Sequence, residues 1–126
     1  MVVEKLEDMP KKKIYSIFII LSVFLADFLT KTIAVNKLLL YKSEPVTSFM
    51  NFTLAFNYGA AFSFLSDAGG WQRWFFIIFS ITVICLIIYL LIKENFSEYM
   101  PFSFVLAGAL GNLYDRIYYG YVIDFI

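Results

Sequence analysis

The sequence predicts a mainly α-helical membrane protein with three transmembrane helices and a small extracytoplasmic β element between the first and second. Three observations carry this prediction. Of 126 residues, 61% are hydrophobic and only 16% charged, against about half and about a quarter in ordinary soluble domains. Mean hydropathy is +0.77, more apolar surface than so short a chain could hide from water. Long apolar runs of bilayer-spanning length also occur, and the segment after the first of them alternates apolar with polar residues.

A bilayer core needs about 20 mainly apolar residues as a helix. The first such run follows Lys11, Lys12 and Lys13 and covers residues 14–34, with Asp27 and Lys31 near its far end. A cleaved signal peptide would share the basic start. However, no small-residue cleavage site precedes a polar mature start, and Asp27 leads into more apolar sequence. Residues 35–71 form the outer region. Glu44-Pro45 reads as a turn, and Phe52, Leu54 and Phe56 recur at period two, which favours strand. Asn57-Tyr58-Gly59 is a turn-like break. Short strands resting on the membrane surface are expected there. Residues 74–92 (WFFIIFSITVICLIIYLLI) are uncharged and are closed by Lys93 and Glu94. Their Ile and Val content would suit a strand, but an open strand cannot satisfy its backbone in lipid. Residues 99–117 form the third span, with Pro101 in the first turn, where its missing N–H costs little. Residues 1–126 read as one integral membrane domain. Lys5 and Lys11 to Lys13 precede span one and Lys93 follows span two, which puts the N-terminus in the cytoplasm. Lys37, Lys42 and Arg73, on the outer side, oppose that bias.

The chain has no histidine and one cysteine, Cys85. That excludes His-based triads, an intrachain disulfide and Cys-clustered zinc. A net charge of zero leaves no nucleic-acid footprint, and no metal or organic cofactor is expected. Charges inside spans are functional candidates by default. At about 1.5 Å per residue, Asp27 lies roughly 20 Å from Ile14 and Asp115 roughly 22 Å from Met100. Both approach the outer boundary, where Asp124 follows just past Gly120. Gly108, Asn112 and Asp115 share one helical side, while Leu106, Leu110, Leu113 and Ile117 repeat on another, expected to face lipid. The small residues Ala107 to Ala109 and Gly111 would let a neighbouring backbone approach. Asn112 and Arg116 are placed to hold Asp115 ionised, and Asp27 can pair with Lys31 at i, i+4. Purely structural roles for both groups stay open on this reading. Trp71 and Trp74 fit an interfacial belt, and Cys85 lies inert among Ile and Leu.

Four blocks carry a resemblance. They are Asp27-Phe28-Leu29-Thr30-Lys31, Asn57-Tyr58-Gly59-Ala60-Ala61-Phe62-Ser63, Gly108-Ala109-Leu110-Gly111-Asn112-Leu113-Tyr114-Asp115-Arg116 and Gly120-Tyr121-Val122-Ile123-Asp124-Phe125. In order and spacing they resemble the signature blocks of bacterial lipoprotein signal peptidase (signal peptidase II). The resemblance implies a multi-pass aspartic endopeptidase of the bacterial cytoplasmic (inner) membrane, monomeric and cofactor-free, with its active site at the outer face. Its implied partners are membrane lipid and a lipid-modified prolipoprotein, cut before the diacylglyceryl cysteine. By the same resemblance Asp124 is catalytic, and Asn112, Asp115 and Arg116 support the active site. Asn57, Gly59, Asp27 and Lys31 match positions that hold substrate or lipid. The family also carries a fourth helix preceded by Phe-Asn-x-Ala-Asp, whose aspartate completes the catalytic pair. The sequence ends two residues after Asp124, so the expectation is a truncated member, inactive by itself. Two other readings are a Ser–Lys hydrolase using Lys31 with Ser63, and a non-catalytic membrane component that only binds signal helices.

Overall fold

A computed structural model of the chain describes residues 11–59, 69–93 and 96–125. Lys5, Glu94 and the 60–63 part of the second block, Ser63 included, lie outside the described residues. The elements run α1 (Lys11–Lys37), β1 (Ser43–Pro45), β2 (Asn51–Thr53), β3 (Ala55–Asn57), α2 (Gln72–Ile92), α3 (Tyr99–Tyr118) and β4 (Val122–Asp124). α1 extends beyond the expected 14–34 at both ends. Apart from Val35 its added residues are polar, so their hydropathy gives little sign of helix, although their backbone continues it. α1 and α2 are each long and apolar enough to cross a membrane.

α3 is the middle helix, packing along both α1 and α2, which touch each other little. Its buried residues toward α1 include Ser103, Ala107, Gly111 and Asp115, one every fourth position. Such a row of small side chains lets two helices approach closely. Leu106, Leu110 and Leu113 correct the sequence reading. Leu106 is buried against Ile84 and Ile87 of α2, with Leu110 and Leu113 half-buried beside it. Periodicity identifies a face, but in a bilayer leucines are equally suited to lipid and to a neighbouring helix. Ile117, 55% exposed, does face outward, and so do Phe18 and Ile78. Cys85, Trp71 and Trp74 are likewise exposed.

β1 and β2 form an antiparallel hairpin with Glu44 opposite Phe52. Glu44-Pro45 is therefore strand rather than turn. The turn comes immediately after, where the N–H groups of Val46 and Thr47 both donate to the Met50 carbonyl. Pro45 is tolerated because an edge strand can leave the missing donor on its open side. β3 and β4 form a second antiparallel pair, with Ala55 opposite Asp124, Phe56 opposite Ile123 and Asn57 opposite Val122. The Thr53 N–H donates to the Phe125 carbonyl at 3.0 Å and links the two pairs. Under them, Ala34, Leu54 and Ile123 form a small apolar core with Phe56 and Tyr121 against it. Of the period-two residues, Leu54 is in this core and Phe56 packs against it, whereas Phe52 is half-buried and meets the Phe125 ring at 5.8 Å. β4 was not foreseen, although Val122-Ile123 between Gly120 and Asp124 carries the β-branched signal of a strand.

Candidate active site

The site is built around Lys31, 7% exposed on the inner face of α1. Its ammonium donates to Asp115 Oδ2 at 2.7 Å, and to Asn112 Oδ1 at 3.3 Å, both on α3. It also pairs with Asp27 Oδ2, one turn back on α1, at 2.9 Å. An ammonium has three donors, and all three are used. The i, i+4 pair of Asp27 and Lys31 is present as expected, but it is half of a wider node that bolts α1 to α3.

Asp115 differs from the sequence reading. Arg116 does not hold it; Lys31 does, from another helix. Adjacent residues on a helix point about 100° apart, so Asp115 faces α1 while Arg116 turns away. The Arg116 guanidinium donates to the Gly59 carbonyl at 3.1 Å and lies 5.2 Å above the Phe76 ring. Gly59 is held in turn by its own N–H, which donates to Asn57 Oδ1 at 2.9 Å, a local Asx turn. The second sequence block is thereby tied to the third.

Glycine matters at two points. A Cβ at Gly111 would land on the Asp27 carboxylate, whereas one at Gly108 would meet nothing within 4 Å. The close approach expected along this stretch thus occurs at Gly111. Gly120, at φ +88°, ends α3, its N–H donating to the Asp115 and Arg116 carbonyls. Positive φ is what a helix-terminating glycine supplies. Sequence reasoning missed Arg73 altogether. Its Nε donates to the Arg116 carbonyl at 2.9 Å and its terminal amino group to the Ile117 carbonyl at 2.7 Å. A cation at a helix C-terminus is favourable, but nothing in the sequence says which helix end this arginine would reach.

Asp115 has a second duty. The same Oδ2 that accepts from Lys31 accepts the Ile123 N–H at 3.2 Å, one residue before Asp124. Asp124 itself is exposed at the end of β4. It opens on a hollow of about 390 Å³ lined also by Asp27, Lys31, Asn57, Asn112 and Arg116. Side chains from all four sequence blocks therefore share one cavity wall, with Asp115 beneath it and Gly59 behind Arg116. Among the described residues no group of three or more His, Cys, Asp or Glu could hold a metal ion.

A sequence model of the family described as signal peptidase (SPase) II matches residues 19–126. The chain belongs to the signal peptidase II family. Among curated relatives, the lipoprotein signal peptidase of Teredinibacter turnerae is 50% identical over 109 residues, covering 84% of this chain and 65% of its own length. That of Alteromonas mediterranea is 48% identical over 106 residues, covering 82% of this chain and 58% of its own length. The chain thus spans less than two thirds of the length of these two signal peptidases. A solved bacterial membrane enzyme superposes with a TM-score of 0.78 at 35% identity, covering 88% of this chain and 68% of that one. A second gives 0.74 at 34% identity, covering 88% and 72%.

Proposed function

We propose that the intact protein is an aspartic endopeptidase that removes signal peptides from lipid-modified prolipoproteins. In this reading α1, α2 and α3 all cross the bacterial inner membrane, with the N-terminus cytoplasmic. The strands and the Asp124 hollow lie at the outer face. Lys11, Lys12 and Lys13 stand at the opposite end of α1 from Asp27 and Lys31, which supports that orientation. The observation that carries the reading is the hollow itself: Asp124 shares it with Asn57, Asn112 and Arg116, in a chain of this family.

Peptide hydrolysis by carboxylates needs one ionised group to activate water and one protonated group to donate to the carbonyl oxygen. Two such groups close together share a proton and titrate as a unit. Asp124 supplies one of them. Asp115 does not supply the other, because its Oδ2 is committed to the Lys31 ammonium and the Ile123 N–H. The second carboxylate comes from the segment that carries Phe-Asn-x-Ala-Asp in the family. A signal helix ends its apolar stretch level with the hollow, so its cleavage site meets Asp124 while the diacylglyceryl chains stay in lipid. The Ser–Lys alternative needs a neutral lysine, and an ammonium held by two carboxylates does not provide one.

The test is Asp124→Asn in the full-length enzyme, with cleavage of a lipid-modified prolipoprotein followed by gel shift. Cleavage should fall by at least the about 10²–10⁴-fold of a lost general acid–base group, with the melting temperature unchanged. Wild-type cleavage by this variant would sink the assignment.

A further inference from the structure

The first turns of α2 hold Arg116 at two points. Arg73 Nε donates to the Arg116 carbonyl at 2.9 Å, and its terminal amino group to the Ile117 carbonyl at 2.7 Å. Phe76, three residues on and so on the same side of α2, is buried and carries the Arg116 guanidinium 5.2 Å above its ring. Both contacts bear on the hollow. Arg116 and Asp124 line it together, and the Gly120 N–H closes the turn into β4 on the same Arg116 carbonyl, at 3.1 Å. A Cβ at Gly120 would meet Cδ, Nε and Cζ of Arg73 at 3.6 Å, so the arginine lies along that turn. Its guanidinium is also 4.9 Å from the Trp74 ring, a cation–π contact that steadies it.

We propose that Arg73 is a positioning residue for peptide hydrolysis: it fixes the last turn of α3, and with it both the Arg116 guanidinium and the entry to the strand that carries Asp124. The inference rests on the protease reading of the Asp124 hollow. The last carbonyls of a helix lack intrahelical partners. Here two of them are spanned by one planar group whose donors are held at fixed spacing. Arg73 is not among the residues that line the hollow, so it acts through α3. Asp115 fixes β4 at Ile123, and Arg73 fixes the turn that leads into it. Without Arg73 the strand keeps β3 and Asp115 but loses its fixed entry, and Arg116 keeps Gly59 and Phe76 but loses the anchor on its own carbonyl. A shift of about 1 Å at a reacting group, caused from a distance, costs up to about 10²-fold in rate.

The full-length enzyme in mild detergent would be assayed on a diacylglyceryl-modified prolipoprotein by gel shift, well below its melting temperature. Arg73→Met keeps an apolar stem and removes the donors. Its kcat should fall at least about tenfold, with KM within about twofold of wild type. The bell of kcat/KM against pH should also narrow, because two carboxylates moved apart split their proton-binding steps less. Asp27, Lys31 and Arg116, the other charged groups among the described residues that line the hollow, are all retained in this variant. Arg73→Lys returns a donor to the same carbonyls and should recover most of the rate. If Arg73→Met does not fold, Arg73→Gln is read by the same criteria. A merely structural cap lowers the melting temperature and leaves kcat and the width of the bell as in wild type. Either of those two unchanged, or no recovery in Arg73→Lys, overturns the proposal. Cleavage abolished by Asp124→Asn but untouched by Arg73→Met defeats this inference alone, whereas cleavage untouched by Asp124→Asn defeats the protease reading and this inference with it.

Discussion

Replacing Lys31 by methionine removes the one ammonium that serves Asp27, Asp115 and Asn112. The Asp115 side chain is 5% exposed, so its carboxylate cannot be rehydrated without opening the α1–α3 contact. Stranding one partner of a buried ion pair costs about 3–5 kcal/mol. Asp27, with a side chain 29% exposed, recovers part of its hydration and adds less. The second half of the reasoning uses the reverse expectation: exchanging a whole buried pair for apolar residues is often neutral. Adding Asp115→Leu to Lys31→Met removes the stranded charge. It leaves the Ile123 N–H without an acceptor, at about 1–3 kcal/mol. The double variant should therefore be more stable than Lys31→Met alone. The assay is reversible unfolding of the full-length protein in mixed micelles titrated with sodium dodecyl sulfate, followed by tryptophan fluorescence. The two single variants and the double complete a thermodynamic cycle. A coupling of at least about 2 kcal/mol is expected. Additivity within about 0.5 kcal/mol, the figure for independent sites, would refute the node as the element joining α1 to α3.

Three further outcomes follow from the same geometry. Gly111→Ala drives a methyl group into the Asp27 carboxylate, so it should destabilise the fold by the about 1–3 kcal/mol of an overpacked contact; a melting temperature equal to wild type would contradict this. Arg73→Met removes two donors from the last carbonyls of α3 and should cost about 1.5–3 kcal/mol, seen as faster amide exchange at Tyr119 and Gly120. Tyr121 is stacked on Phe56 at 4.3 Å, and burial, then the neighbouring Tyr58 and Asp115, push its pKa above the ordinary tyrosine range. The fold therefore retains that proton when the unfolded chain has lost it, and stability falls as pH rises past about 10. Phenolate absorbance should show a late step that Tyr121→Phe abolishes.

What could be read in advance was whatever is written locally. The apolar run of α2 is closed by Lys93, and of Phe52, Leu54 and Phe56 it is the middle one, Leu54, that is buried. Asn57-Tyr58-Gly59 turns where its composition says it should. The contacts missed at the site depend on partners distant in sequence. Asp27 is found from Lys31 because it is one turn away, whereas Asp115 is 84 positions off. The face carrying Leu106, Leu110, Leu113 and Ile117 divides between α2, which buries Leu106, and the outside, where Ile117 points, a division that periodicity does not contain. Arg73 carries a charge whose use depends wholly on where the end of α3 comes to rest. Four recurring blocks did indicate which polar residues gather around Asp124, but not which of them touch.

The contacts give the gathering a physical logic that block order does not contain. In an antiparallel pair, successive residues direct their N–H groups alternately toward the partner strand and away from it. β4 has β3 on one edge, and the Ile123 N–H goes instead to Asp115. Asp115 thus serves as the missing neighbour on the other edge of the strand that carries Asp124. A neutral carbonyl could accept that bond, but a carboxylate can do so while also anchoring an ammonium from α1. The carboxylate needs that ammonium, because buried without a counter-charge it would cost several kcal/mol. Lys31 supplies the charge and, through Asp27 and Asn112, has its remaining donors satisfied on both helices. The polar residues buried between α1 and α3 therefore solve one problem together: they hold the short strand β4 at a fixed height over the two helices. On that reading Asp115 and Lys31 set where Asp124 stands.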